Sequence, residues 1–310
     1  MRKGRSLTGL LLLMVLVVAA VRFEEPAAMV VQKAGTVSLQ RANRTLPVAV
    51  GTALEAGDRL AVATGGKVVI MYRTGKMETV TASMTIQTRQ SEQVGNLYRQ
   101  TLQTVVQVAT SDAGRQANRQ GMIRPVGGMP NPIAPRNEIR LMDVRPTFTW
   151  FSVGSDARYT VQLIRTDLPG AQPRRFEAGA DTVWAYPASE PALVPGASYQ
   201  WTVATSEGRP AAPQKFRVIS PAELTGLTEM LASVAENGLD PMSDGLFLAA
   251  LFYRDAGLFY EADRALERVA HDGGGGGRTF HLLRAEVYDA MGDLEAASRA
   301  FQAADAEPGT

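Results

Sequence analysis

The chain has 310 residues, 45% apolar and 20% charged, a make-up that excludes a disordered tail and leaves room for two or three independently cored domains. Its formal net charge of +1 conceals an asymmetry, since residues 1–220 carry 26 Lys/Arg against 15 Asp/Glu and residues 221–310 carry 6 against 16. Sign asymmetry bears on partners rather than on fold, so the acidic segment is expected to be a solvated face, to meet a basic partner, or to dock on the chain's own front half.

Residues 1–21 speak to compartment. Arg2, Lys3 and Arg5 form a positive start, Leu7 to Val21 form an uncharged apolar run of 15, and Val18-Ala19-Ala20 supplies small residues where a signal peptidase reads. The segment reads as a secretory signal peptide, or as a short signal anchor if it is not cleaved. A full span takes about 20 apolar residues, which favours cleavage. Either way, the positive-inside rule sends the body of the protein out of the cytoplasm. The expected location is extracytoplasmic, in the periplasm, with attachment to the inner membrane through residues 7–21 if the signal is retained. The chain has no cysteine, which excludes disulfides, thiol chemistry and a lipid anchor on an N-terminal Cys.

From residue 30 to 90 the apolar residues alternate in short runs broken by glycine. Val31, Val37 and Leu39 flank Gly35; Leu54 and Leu60 flank Gly57-Asp58; Val68, Ile70 and Tyr72 follow Gly65-Gly66; Val80, Met84 and Ile86 follow Gly75. Period-two alternation with turns every eight to twelve residues predicts a small all-β domain. Asp58 is expected to accept backbone N–H bonds and fix the turn into the next strand. Gly35-Thr36-Val37, the Gly51 turn, Leu54 to Leu60, Thr64 to Val68 and Tyr72 to Gly75 together resemble a FecR-type domain, an extracytoplasmic β module of bacterial envelope proteins. Thr74-Gly75 stands where that family commonly has Asp-Gly.

Residues 91–137 read as a helix and a linker. Val94, Leu97, Leu102, Val105, Val106 and Val108 suit one amphipathic helix despite its valines and threonines, and Gly121 to Pro135 is rich in turn formers. A second β domain is expected over 138–220, with strands at 146–150, 159–164, 182–186, 199–203 and 216–219, nearly all bearing an aromatic. Pro146, Phe148 and Trp150, then Tyr159, Val161 and Leu163, then Tyr199, Trp201 and Val203 resemble a fibronectin type III or immunoglobulin-like sandwich, an architecture that carries no site of its own.

Residues 221–310 repeat at an offset of 35: Tyr253, Gly257, Ala262 and Leu266 are answered by Tyr288, Gly292, Ala297 and Phe301. Such an echo marks stacked helical hairpins that cannot bury their apolar faces alone. Leu246, Ala249, Ala250 and Tyr253, with Gly257, Phe259, Ala262, Leu266 and Val269, resemble a tetratricopeptide repeat. Ala285, Tyr288, Gly292, Leu294, Ala297, Phe301 and Ala304, with Pro308 near the usual terminal proline, resemble a second; His281 and Arg284 depart from it, standing where bulky apolar residues are preferred. Leu227, Leu231 and Val234 fall a further 35 residues upstream of Ala262, Leu266 and Val269, which predicts a lone capping helix over 222–236. The last helix is expected to leave a back surface with no cap beyond Phe301 and Ala304. The fold class is thus multidomain: a small all-β FecR-like domain, an immunoglobulin/fibronectin III-like sandwich, and C-terminal all-α tetratricopeptide-like repeats.

Signals for chemistry are few. The two histidines, His271 and His281, have no second ligand at metal spacing, and no nucleophile elbow, His-Glu-x-x-His or calcium loop occurs. Gly273 to Gly277 before Arg278-Thr279 mimics a phosphate cradle, but it lacks a Lys and falls where an inter-repeat turn belongs. No enzyme activity, cofactor or metal is expected, and no nucleic acid, because the basic residues are dispersed. Arg89, Arg99, Arg115, Arg119 and Arg124 suit an anionic envelope polymer better, or a plain solvated face.

The tetratricopeptide resemblance implies a concave groove lined by first-helix residues: Phe247, Leu251, Arg254, Asp255, Leu282, Glu286 and Asp289. Apolar anchors beside acids suit a partner segment with an apolar residue near Lys or Arg. The alternative is that helix 222–236 covers Phe247 and Leu251. Arg254→Glu and Glu286→Lys are expected to weaken capture with little change in melting temperature.

The function expected is a non-enzymatic, modular envelope scaffold for protein binding. A periplasmic sensor is the alternative, without a cytoplasmic output segment because only six residues precede the apolar run. An envelope enzyme with an unrecognised carboxylate site is a more remote one.

Overall fold

The computed structural model describes residues 26–87, 95–110, 129–206 and 210–307. The apolar run 7–21, Arg89, Arg115, Arg119, Arg124 and Pro308 lie outside the described residues. The layout is multidomain, β followed by α, with one helix set between two β modules.

The first module contains eight strands: β1 (Ala28–Ala34), β2 (Val37–Arg41), β3 (Arg44–Pro47), β4 (Ala53–Leu54), β5 (Arg59–Val62), β6 (Lys67–Tyr72), β7 (Met77–Val80) and β8 (Met84–Thr85). They form two four-stranded sheets, ordered β4-β1-β6-β7 and β3-β2-β5-β8. Ala28, Val30, Val68 and Ile70 face the partner sheet and pack with Val37, Leu39 and Leu60. Met29, Val31, Val69 and Met71 point the other way, because side chains alternate along a strand, and they enter a different core shared with the helices. These eight side chains of β1 and β6 are each at most 1% exposed. Strands buried on both faces read as continuous apolar runs.

Asp58 acts as the sequence suggests: its carboxylate accepts the Glu55 N–H at 2.7 Å. Arg41 adds a fork, with Nε at 2.9 Å and Nη2 at 2.6 Å from the two carboxylate oxygens.

Helix α1 (Asn96–Thr110) follows, then eight strands: β9 (Asn131–Ala134), β10 (Arg140–Leu141), β11 (Thr147–Phe151), β12 (Tyr159–Arg165), β13 (Arg174–Gly179), β14 (Val183–Ala185), β15 (Ser198–Thr205) and β16 (Gln214–Val218). The sheets are β10-β16-β15-β12-β13 and β14-β11-β9, with β10 and β16 parallel. β9 pairs with β11, so this module takes in residues ahead of the boundary expected at 138. Phe148, Trp150, Tyr159, Trp201 and Phe216 fill the space between the sheets, with Phe148 and Trp201 edge to face at 4.9 Å.

Five helices complete the described chain: α2 (Pro221–Glu236), α3 (Leu246–Asp255), α4 (Phe259–His271), α5 (Arg278–Met291) and α6 (Leu294–Ala306). A capping box starts α2, with the Ser220 hydroxyl accepting the Glu223 N–H and the Glu223 carboxylate accepting the Ser220 N–H. Helices α3 and α4 form one hairpin, α5 and α6 the next. The 35-residue echo occupies equivalent places in both. Gly257 and Gly292 end the first helix of each pair in left-handed conformation, at φ 74° and 80°. Ala262 and Ala297 are fully buried where the paired helices meet. Arg284, where a bulky apolar residue is expected, lays its guanidinium over Tyr288 and Phe280, at 5.1 and 5.8 Å from the ring centroids. Phe301 and Ala304 are buried, and the outer face of α6 carries Glu295, Arg299, Gln302 and Asp305, so the helix caps itself with polar side chains.

Cross-module ion pairs follow the charge asymmetry. Lys67 Nζ lies 3.1 Å from Asp244, which also accepts Gln32 Nε2 at 2.6 Å; these contacts, Gln32 first, hold the Asp244 carboxyl below its ordinary range. Arg217 meets Glu223 at 3.0 Å and Arg140 meets it at 3.4 Å. The acidic segment therefore docks, in part, on the chain's own front half.

Asp58 is 2% exposed while its guanidinium partner is anchored beside it. Asp58→Ala removes the fork and the acceptor of the Glu55 N–H, leaving Arg41 with Glu55 at 3.1 Å and Ala53 O at 2.9 Å, and is expected to cost about 2 kcal/mol in urea denaturation. A loss under about 1 kcal/mol would show that the fork is ornamental.

Candidate partner-binding site

The seven expected groove residues divide into two sets. Phe247, Leu251 and Leu282 are 1%, 0% and 4% exposed and belong to the core that also holds Met29, Val31, Val69 and Met71. The apolar floor is thus inside the molecule. It is covered by more than α2, the one helix the sequence put forward for that role: α1 rests on α3 and α5, the first helices of both hairpins, and β1 reaches α3. Tyr98 and Val108 of α1 are fully buried in this core, with Leu97 and Val105 beside them.

The polar set forms a lip around the end of α3. Arg254 Nε donates to Glu286 Oε1 at 3.1 Å, Arg254 Nη1 donates to Asp255 Oδ1 at 2.8 Å, and Nη1 also reaches Gln107 Oε1 on α1 at 3.3 Å. Thr104 Oγ1 of α1 donates to Asp255 Oδ2 at 2.5 Å. Arg254, Asp255 and Glu286 line a cleft of about 590 Å³ with Gln107, Glu138, Arg140 and Phe259. Asp289 lies apart from this cleft, near Arg136, and burial raises its carboxyl above the usual value.

The hairpin turns are not free ends. Arg140 donates its backbone N–H to Gly257 O at 3.1 Å and its Nη1 to Ala256 O at 2.9 Å. Asn137 Nδ2 donates to Ala290 O at 3.0 Å, and a Cβ on Gly292 would collide with Arg136. Residues 136–140 thus lie across both turns, a placement with no periodic signal in the sequence.

The glycine run has an equally local reason. A Cβ on Gly277 would overlap Ala49 of the first module, and one on Gly274 would sit 3.2 Å from Lys33 O. The Gly277 N–H, which a bound anion would need, donates instead to Glu307 Oε1 at 3.2 Å. His281 Nε2 stands 3.8 Å from the same carboxylate oxygen, and burial lowers its pKa; His271, at the end of α4, contacts Asp272 at 3.1 Å on the surface.

A second cleft, about 470 Å³, opens between α4 and the second β module, lined by Leu141, Pro146, Tyr260, Glu261 and Asp263 among others. Burial raises the pKa of Tyr260 and Glu261, and pushes that of Asp263 up to about 6. Sequence reasoning passed over these residues, because an acid on a repeat helix reads as solvated until its neighbours are known.

No protein-family model matches the chain, and no curated protein is detectably similar to it. Among solved structures, the FN1-FN3 domains of chicken CNTN1 align at 11% identity over 61% of this chain and 57% of that one, with a TM-score of 0.23. A likeness that loose assigns no fold family. Among the described residues, no helix is long and apolar enough to cross a membrane.

Two predictions follow from the charges. The Arg254 side chain is 14% exposed and that of Glu286 17%, so Arg254→Glu sets three carboxylates together; about 3 kcal/mol of stability should be lost and partly regained in Arg254→Glu/Glu286→Arg. This replaces the expectation of an unchanged melting temperature, and equal melting of the single variant and the parent would contradict it. The Asp263 carboxyl titrates near 6 in the folded chain against 3.8 for the free group, so its protonation favours folding at low pH and that contribution is lost as pH rises from about 4 through 6. Asp263→Asn should therefore melt higher than the parent at pH 7.5 and converge with it near pH 4.

Proposed function

We propose that this chain is an exported, non-enzymatic envelope protein that works as a protein-interaction scaffold: a FecR-like β module, a fibronectin/immunoglobulin-like sandwich and a short tetratricopeptide-like array, closed onto one another. The observation that carries the reading is α1, an amphipathic helix seated on the first helices of two hairpins. A surface that already holds a helix is suited to helix-in-groove recognition. The equivalence of Gly257 with Gly292 and of Ala262 with Ala297 supports the repeat reading, and the two-sheet core around Asp58 supports the β-module reading. The partner has an apolar helix face with Lys or Arg beside it, matching the lip where Asp255 and Glu286 share a single Arg254.

The test combines location and contact. Cell fractionation should place the protein in the periplasm or on the outer side of the inner membrane; a cytoplasmic majority would sink the export reading. A photo-crosslinker at Glu138, whose side chain is 74% exposed on the rim of the cleft, should give a discrete protein adduct in intact envelopes. The same group at Arg44, exposed on β3, should give none. Absence of an adduct from Glu138 and from further rim positions would overturn the scaffold reading.

A further inference from the structure

We infer that α1 is a resident occupant of the α3/α5 surface that a basic amphipathic helix of a partner protein replaces. The inference rests on the scaffold reading and adds how the surface is reached.

Three features of α1 mark it as a weak tenant. Six of its 15 residues are β-branched, and it has neither an acid in its first turn nor a base in its last, so it forms a helix because it is docked. Its docked face carries Thr101 and Thr104, 0% and 3% exposed, where apolar side chains would bury more area. Among the described residues only Thr52 and Asp58 are buried polar side chains besides these two. The Thr101 hydroxyl donates to Leu97 O of its own helix at 2.8 Å, so it is satisfied without adding any bond across the interface. Meanwhile Val106 is 52% exposed on the opposite side.

Charge supplies the third feature and names the replacement. Residues 221–310 carry 16 acids against 6 bases, while α1 brings a single charge, Arg99. The Asp255 carboxylate accepts a neutral hydroxyl from α1, while Arg254 is shared between it and Glu286. A helix with apolar residues at the registers of Leu97, Thr101, Val105 and Val108 and Lys or Arg at that of Thr104 keeps the packing and turns the hydroxyl–carboxylate bond into an ion pair beside two carboxylates that share one Arg. When α1 leaves, it stays tethered through the chain ahead of it, where the Gly95 N–H donates to Arg73 O of the first module at 2.7 Å.

The test uses the full chain and labelled synthetic peptides of residues 96–110. The chain lacks cysteine, so Thr104→Cys/Asp255→Cys gives a single disulfide that locks α1 in place. The reduced double variant should bind the native peptide and the oxidised one should bind it at least about tenfold more weakly. Equal binding in both states, or none in either, would overturn the inference. With the parent chain, a peptide carrying Thr104→Lys should bind about tenfold more tightly than the native peptide, and Asp255→Asn should erase that difference. An isosteric Thr101→Val, which tightens α1 without changing its shape, should lower peptide binding several-fold while circular dichroism stays unchanged. Concentration-dependent dimerisation of the reduced form without peptide binding would seat a second copy's α1 there and exclude the partner helix. A locked chain that still gives the Glu138 adduct in envelopes would overturn displacement and leave the scaffold reading standing.

Discussion

Met29, Val31, Val69 and Met71 leave the β4-β1-β6-β7 sheet on the side away from its partner sheet, and they have to be covered. Burying four such side chains is worth about 6–12 kcal/mol gross, which no eight-strand module can supply for itself on its outer face. The helices supply it, and in doing so they become part of the same core: α1 and the hairpins close over this face, and Phe247, Leu251 and Leu282 meet it from the other side. The remaining arrangement follows from that shared surface. The first module and the helical repeats cannot be separated without exposing both.

Around that core the contacts are local and close. The glycine loop lies so near Ala49 and Lys33 that a side chain there would displace one of the partners, and residues 136–140 run across both hairpin turns. Lys67–Asp244 and Arg217–Glu223 join segments of opposite sign, but their side chains are about a third exposed, so they orient the modules more than they hold them. Apolar burial carries the energy while the ion pairs set the register. The exposed part of the expected groove is therefore a charged lip rather than an open trough, and its apolar floor lies beneath α1.

Much of this was legible from residue pattern. The alternation in 31–86 placed the strands of the first module, the aromatics at Phe148, Trp150 and Trp201 placed the second core, and the echo of Gly257 in Gly292 placed both hairpin turns. The capping helix was found by stepping the same offset upstream from Ala262. What escaped was of another kind. Strand β9 lies in a proline-rich stretch that reads as linker, and β13 carries Arg174 and Arg175 on an edge, where exposed charges mask the period. The role of α1 was invisible because its own pattern says only that one face is apolar, with no word on which surface receives it. Phe247 and Leu251 gave the same ambiguity, since a groove anchor and a core residue are both buried-type side chains on the inner face of a helix.

Sequence by itself determined most of the elements, their order, the charge asymmetry and the turn glycines at Gly257 and Gly292, because periodicity, turn chemistry and left-handed backbone are properties of short segments. Tertiary structure alone decided which apolar faces cover one another, that the glycine run packs against the first module, and that α1 rests on α3 and α5. Those outcomes depend on residues far apart in the chain, such as Thr104 with Asp255 and Gly277 with Ala49. Packing, being non-directional and summed over many small contacts, leaves no local mark by which one partner can be read from the other.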